Sequence, residues 1–327
     1  MLFTSAGRRV ELFRAFRRAY TDLGLDGRLI AIDVDPLAPT LEEADRCFIV
    51  PRLSDDAYIP TLAAICRRER VGLVLPLIDP DIPILAAHKA MLEAAGAIVA
   101  VVPKSSAAIC ADKWRTFALF GELSVPTPQT WLPHQLASAS FGFPVLVKPR
   151  FGSAGQHVYA VHDDRELDFF LGYVPEPVVQ ELLPGPEITT DVLCNFEGEA
   201  LSVVSRERIE VRSGEVAKGK TVYDPRIAED CCRIAKALRA AGPITVQCMR
   251  RDDEHFFTEV NARLGGGLPL GIAAGARPAH WLLQLAIGQV PDAPPLGSYE
   301  LGLHLSRFDD SRFLTEQDYD RLAGRRL

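Results

Sequence analysis

The sequence predicts a doubly wound α/β unit followed by an α+β region rich in antiparallel strands, and three observations carry that expectation. In the first hundred or so residues, short apolar runs alternate with longer stretches of helical periodicity. Between Ile188 and Val222, three extended segments follow one another across turn signals. Two apolar segments far apart in the chain deliver polar side chains at their ends: Val145–Val147 leads to Lys148, and Phe256–Val260 carries Glu259 and leads to Asn261 and Arg263.

Taken in order, Leu2–Ser5, Leu29–Asp33, Val71–Leu75 and Ala97–Val102 read as buried parallel strands, with helices such as Val10–Leu23 and Pro83–Ala95 between them. A dinucleotide site is the obvious rival, because Gly7 follows the first strand and Asp33 ends the second. However, Thr4-Ser-Ala-Gly7-Arg8-Arg9 holds one glycine where G-x-G-x-x-G needs three. Arg8, Asp33 and Asp79 fall at strand ends, where ligands gather in such sheets, although each is equally a cap or turn former. Asp79-Pro-Asp81-Ile-Pro83 reads as a helix start with Asp81 as its cap.

Residues 104–130 read as a helical linker ending at Pro126-Thr-Pro128, and a small lobe then runs to about Leu183. Within it, Lys148 is followed by the small-residue turn Gly152-Ser153-Ala154-Gly155 and a second strand, Val158–Val161. Glycines admit phosphate oxygens close to the backbone, exposed N–H groups cradle them, and a lysine adds a point charge. This is not a G-x-x-x-x-G-K-[ST] loop, and by itself the turn would be an ordinary hairpin.

Ile188–Val192, Ala200–Glu210 and Glu215–Val222 read as an antiparallel meander turning at Asn195–Gly198 and Arg212–Gly214. Arg206 and Arg208 share one face of its middle strand, Lys218 and Lys220 one face of the next; an exposed edge would explain all four. A helix over Ile227–Ala241 precedes the strand bearing Glu259, Asn261 and Arg263, whose side chains two apart share a face. A carboxylate and an amide oxygen suit Mg²⁺, and a guanidinium suits phosphate or carboxylate. Gln247 lies twelve residues before the glutamate. Pro278–Gly288 reads as a last apolar helix and Leu301–Leu305 as an edge strand, and the tail from Tyr299 has no functional reading.

This order of motifs resembles the ATP-grasp superfamily, in its carbamoyl-phosphate-synthase large-subunit-like branch, from about Thr4 to Gly288. The resemblance implies a Rossmann-like pre-ATP-grasp domain over 1–103. A linker helix and lid subdomain over 104–183 would follow, then a C-terminal subdomain with the metal site over 184–327. It also implies ATP contacts from Lys113, Lys148, Gly152, Ser153, Ala154 and Gly155, an adenine-facing connector through Glu181, Leu182 and Leu183, and Glu187 as the ribose acid. Gln247, Glu259 and Asn261 map to the metal ligands for one or two Mg²⁺ (or Mn²⁺) ions, and Arg263 to the phosphate-facing arginine. Arg206 and Lys218 are favoured to meet the γ-phosphate or an acyl phosphate, while Arg8, Asp79, Gly266 and Gly267 are assigned to substrate. Many relatives carry an acid where this chain has Gln247. The run Gly265-Gly-Gly267 replaces an arginine or serines, which opens the backbone to an anion.

Composition fits a folded protein at 48% hydrophobic and 24% charged residues, and a net charge of −7 with no basic stripe disfavours nucleic acid. No apolar run of membrane-spanning length and no signal peptide are read. Seven cysteines without Cys-x-x-Cys spacing suggest reduced thiols in the cytoplasm, with burial the expected role at Cys231-Cys232. No internal repeat is visible, so the chain matches one half of a carbamoyl phosphate synthase large subunit. The expected activity is an ATP- and Mg²⁺-dependent carboxylate–amine ligase acting through an acyl phosphate on small-molecule substrates, with a homodimer as one assembly. The alternatives are phosphorylation of bicarbonate or carbamate, and a non-catalytic regulatory nucleotide-binding subunit. His157 and His304 are candidate bases by residue type alone.

Overall fold

The computed structural model describes residues 1–153, 155–212 and 214–325. Ala154, proposed for the lid, lies outside the described residues. The N-terminal unit is a five-stranded parallel sheet of β1 (Leu2–Thr4), β2 (Ile30–Asp33), β3 (Arg46–Ile49), β4 (Leu73–Pro76) and β5 (Ile98–Val99), in the order β3-β2-β1-β4-β5. Helices α1 (Val10–Asp22), α2 (Tyr58–Glu69), α3 (Asp81–Ala87) and α4 (Lys89–Glu93) connect the strands. The helix expected over Pro83–Ala95 is thus two helices, broken at His88 (φ −113°, ψ 15°). Strand β3 was not expected: it opens on an exposed arginine and only three of its four residues are buried, as at a sheet edge.

Strand order reverses between β1 and β4, so the loops after these two strands open a crevice at the sheet's C-terminal edge. Asp33 does not face that crevice as a ligand. Its carboxylate accepts the N–H groups of Gly7 (2.8 Å) and Asp35 (3.0 Å), which fixes the first loop. Nor does Asp81 cap α3. It is fully buried and accepts hydroxyl hydrogen bonds from Thr4 and Ser5, and burial pushes its carboxyl up to about 6.

Helices α5 (Lys104–Cys110) and α6 (Lys113–Glu122) lead to a four-stranded sheet, order β6-β9-β7-β8, of β6 (Thr130–Trp131), β7 (Val145–Pro149), β8 (Tyr159–Val161) and β9 (Pro177–Glu181), with α7 (Asp164–Tyr173) against it. The largest sheet is six-stranded, order β14-β13-β10-β11-β12-β15, built from β10 (Glu187–Cys194), β11 (Ala200–Arg212), β12 (Glu215–Val222), β13 (Pro243–Arg251), β14 (Glu254–Asn261) and β15 (His304–Ser306). Helices α8 (Pro225–Ala237), α9 (Leu268–Ala273), α10 (Pro278–Ala286) and α11 (Glu316–Ala323) complete the chain.

Two extended apolar cores join the N-terminal unit to the largest sheet. One runs from Leu62 and Val74 through Phe120 and Phe257 to Ile234, and the other joins Phe13 and Leu75 to Leu264 and Trp281. The four-stranded lobe keeps a small core of its own around Val145, Val147, Leu167 and Val179. Burial therefore joins two parts through shared cores, while the third is built around a core of its own. All seven cysteines are free, and complete burial of Cys231 raises its thiol well above the ordinary value, which keeps it protonated and inert.

Candidate active site

A cleft of about 540 Å³ lies between the four-stranded sheet and the six-stranded sheet, within the size range of small-molecule sites. Lys148 and Glu259, far apart in sequence, both line it, as do Ser153, Gly155, Glu181, Leu182, Leu183, Glu187, Gln247, Asn261 and Arg263. Lys148 enters at the end of β7 and donates to Gln180 Oε1 (2.7 Å), whose amide nitrogen donates in turn to Thr130. Burial lowers the lysine to about 8, against the opposing pull of Glu259.

Lys113 stands at the first position of α6 and does not line the cleft. Its ammonium donates to Gly152 O (2.8 Å), tying the helix to the lid loop. The N-cap Asp112 accepts from the N–H groups of Trp114 and Arg115 and takes both ends of the Arg150 guanidinium, at 2.8 and 2.7 Å. Asp112 and Arg150, to which the sequence reading gave no role, thus hold α6, the end of β7 and the lid turn together.

On the opposite wall, β13 and β14 pair so that Gln247 lies across from Glu259, and Thr245 from Asn261. Gln247 donates to Glu187 Oε1 (2.7 Å), leaving its own carbonyl oxygen facing Asn261. Glu187 also accepts from Arg208 (2.6 Å). With the Asn261 amide nitrogen toward Gln247, its Oδ1 lies 3.0 Å from Glu259 Oε1 and 3.0 Å from Asp79 Oδ1, and the reversed amide would donate to both. The Glu259 and Asp79 carboxylates on either side of the Asn261 amide supply hard oxygen donors of the kind a divalent cation takes, so the side chains present fit Mg²⁺. Asp79 reaches this point from the loop after β4 and pairs with Arg263 at 3.0 Å.

Deeper in, a cavity of about 190 Å³ is lined by Arg206, Arg208, Arg263, Arg9 and Thr189 together with Gly265, Gly266 and Gly267. Arg206 is buried and bonded to Asp191, which also accepts from Thr245 (3.1 Å). The Nε groups of Arg206, Arg208 and Arg263 and the hydroxyl of Thr189 are buried without a hydrogen-bond partner among the described residues. Those four atoms are shut off from the cavity itself, but the guanidiniums of Arg9, Arg206, Arg208 and Arg263 crowd around it, and such a set suits an anion.

The glycine run lines this cavity and also leaves space that side chains around it occupy. A Cβ at Gly265 would lie 2.8 Å from Arg206 NH2, one at Gly266 2.7 Å from Arg9 NH1, and one at Gly267 2.6 Å from Arg206 Cζ. The run makes room for arginines, and the arginines face the cavity.

Besides Lys113, Lys218 and Arg8 line neither the cleft nor the cavity. Register pairs Arg206 with Thr221 and Arg208 with Gly219, so alternation turns Lys218 to the other face of the sheet. There it is 54% exposed and bonded to Glu210 (2.6 Å). Arg8 is 63% exposed and borders an outer groove, while its neighbour Arg9, overlooked in the sequence, is 15% exposed and lines the inner cavity. Burial lowers the Arg9 guanidinium to about 10. His157 and His304 line neither the cleft nor the cavity.

With this geometry in view, residues 1–101 match the PylC-like N-terminal domain and residues 110–267 the ATP-grasp domain. The chain is similar to the carbamoyl phosphate synthase large chain of Archaeoglobus fulgidus, 24% identical over 271 residues that make up 76% of this chain. It spans only 24% of that relative's length. Biotin carboxylase from Campylobacter jejuni, solved as a β,γ-ATP complex, shares the fold with a TM-score of 0.74 at 17% identity, covering 93% of this chain and 74% of that one. L-amino acid ligase from Bacillus licheniformis does so with a TM-score of 0.67 at 21% identity, covering 88% and 73%. No helix among the described residues is long and apolar enough to cross a membrane.

Proposed function

The chain is an ATP-grasp protein with a PylC-like N-terminal domain, and from that premise we propose an ATP- and Mg²⁺-dependent ligase that joins a small-molecule carboxylate to an amine. One observation carries the reading. A buried lysine, the polar side chains of Gln247, Glu259 and Asn261, and a cavity lined by four arginines border adjoining spaces that share Asp79, Asn261 and Arg263.

In this reading ATP lies in the larger cleft, with its base against Leu146, Leu183 and Met249 and its ribose near Glu187. Because the Glu181 N–H already donates to Gln129 O (2.8 Å), the adenine edge falls to the connector residues beyond it. Lys148 faces the phosphate tail, and Ser153 and Gly155 close over it. Gln247, Glu259 and Asn261 would hold Mg²⁺, which when bound neutralises charge on the β- and γ-phosphates. Arg263, Arg206 and Arg208 surround the transferring phosphoryl group in the inner cavity.

The substrate carboxylate oxygen attacks the γ-phosphorus and ADP leaves, giving an acyl phosphate. The amine nitrogen then attacks the acyl carbon, and phosphate leaves with the oxygen that bridged carbon and phosphorus. Positioning and charge neutralisation carry most of this chemistry. Similarity to the carbamoyl phosphate synthase large chain and the small inner cavity favour a second reading, in which bicarbonate takes the carboxylate's place. Hydroxylamine trapping separates the two. A hydroxamate formed in step with ADP from an organic acid supports the ligase, and ADP formation stimulated by bicarbonate alone supports the second reading. Tight ATP binding with no ADP formed across a broad acid and amine panel would overturn both and leave a regulatory site.

A further inference from the structure

Beside the inner cavity lies an open groove of about 380 Å³. The two share Arg9, Glu215, Val216, Gly265 and Gly266, so a ligand in the groove reaches the reaction cavity across Gly266. The groove's walls come from distant parts of the chain, the start of α1 and the tail after β15. Arg307 is fixed there by its N–H, which donates to Ala217 O (2.9 Å), and by its guanidinium, which donates to Gly266 O.

At the junction a single carboxylate serves three guanidiniums. Glu215 lies 3.0 Å from Arg307, 3.1 Å from Arg9 and 3.7 Å from Arg8. The other arginines of the groove have their own acids: Arg14 pairs with Glu43, Arg312 with Glu42 and Glu43, and Arg212 with Glu210 and Asp309. Glu11, 3.8 Å from Arg307, stands mostly in solvent at the rim. Burial opposes ionisation of Glu215, yet Arg9, Arg8 and Arg307 hold it below the ordinary carboxylate range, so its charge is already committed. Positive charge therefore remains in excess at a partly buried spot, which is costly unless an anion completes it.

We propose that this junction anchors an anionic group, a carboxylate or a phosphate, carried by the amine substrate. Arg9 and Arg307 hold the anion, Arg8 guards the rim, and the amine reaches across Gly266 toward the activated acyl group. Arg9 and Arg307 both lie outside the segment matching the ATP-grasp domain, so the anchor would belong to the N-terminal unit and the tail of this chain. The inference rests on the ligase reading above.

Calorimetric titration of the full chain, loaded with Mg²⁺ and a non-hydrolysable ATP analogue, tests it. The probes are the L-amino acids, their amides, and amines carrying phosphate such as phosphoethanolamine with ethanolamine as its neutral counterpart. At least one anionic amine should bind ten-fold or more tighter than its neutral counterpart, and the set that does so identifies the anion. Arg307→Gln should reduce that preference about 10- to 100-fold, the loss of one charge-assisted contact, while affinity for the ATP analogue holds. Arg8→Gln, at an exposed position, should reduce it a few-fold. The anchor is wrong if no anionic amine outbinds its neutral counterpart, or if both variants keep the preference. Failure of the analogue to bind the wild-type chain would instead strike the ligase reading, and the same titration without nucleotide would still read the anchor.

Discussion

Gly267 packs against Arg206 so closely that a Cβ at residue 267 would lie 2.6 Å from the guanidinium carbon. Gly267→Ala should therefore push Arg206 away from Asp191, at about 1–3 kcal/mol of stability, as overpacking usually costs. Denaturant unfolding reads the effect. Gly121→Ala supplies the contrast: it lies in α6 with nothing within 4 Å of an added Cβ, so helix propensity should raise stability by about 0.5–1 kcal/mol. Equal behaviour of the two variants would remove the packing argument.

Lys148 should make nucleotide binding depend on pH. Burial sets its folded value near 8, below the ordinary 10.5, so the charge proposed to meet the phosphates fades as pH rises through 8. ATP affinity should fall across that range with proton uptake on binding, which calorimetry in buffers of different ionisation enthalpy reports. For stability the sign is reversed. Holding the charged lysine in its buried site costs most below pH 8, and the cost is relieved between about pH 8 and 10.5. Lys148→Ala should weaken ATP by about 1.5–3 kcal/mol without unfolding the chain. Unchanged affinity would dismiss the lysine.

Asp112 combines a helix cap with an ion pair, and substitution can separate the two. Asp112→Asn keeps a good cap for α6 but loses the charge facing Arg150, whereas Asp112→Ala loses both. The alanine variant should be less stable than the asparagine variant by about 0.5–2 kcal/mol, the usual worth of a cap. Hydrogen exchange should show the lid turn at Gly152 loosened in both. Identical stabilities would deny the cap its share.

Glu259→Gln should suppress hydroxamate formation far more than it disturbs folding, because it removes the one full negative charge from the three residues assigned to the metal. Turnover at the wild-type rate would mean the cation is held elsewhere. Lys218→Ala, on the far face of the sheet and paired with Glu210, should change neither turnover nor stability beyond about 0.5 kcal/mol. A large loss in that variant would restore the lysine to the reaction.

Local pattern alone determined much of this protein. Apolar runs of four to six residues separated by helical periods gave the parallel sheet, and alternation along Phe256–Arg263 placed Glu259 and Asn261 on one face. Lys148, Glu259 and Asn261 stood out near the ends of apolar segments, whereas Glu187 and mid-strand Gln247 were singled out only through the resemblance of the whole motif order. What only the tertiary structure decided was which of several cations faces the cleft. Arg206 and Lys218 look alike in sequence, but strand register turns one inward and the other outward. Arg8 and Arg9 are adjacent, and the loop after β1 presents the second to the cavity. Arg307 meets Glu215 across 92 residues. Pairings of that separation depend on how sheets and tail close around one another, and local periodicity carries no information about them.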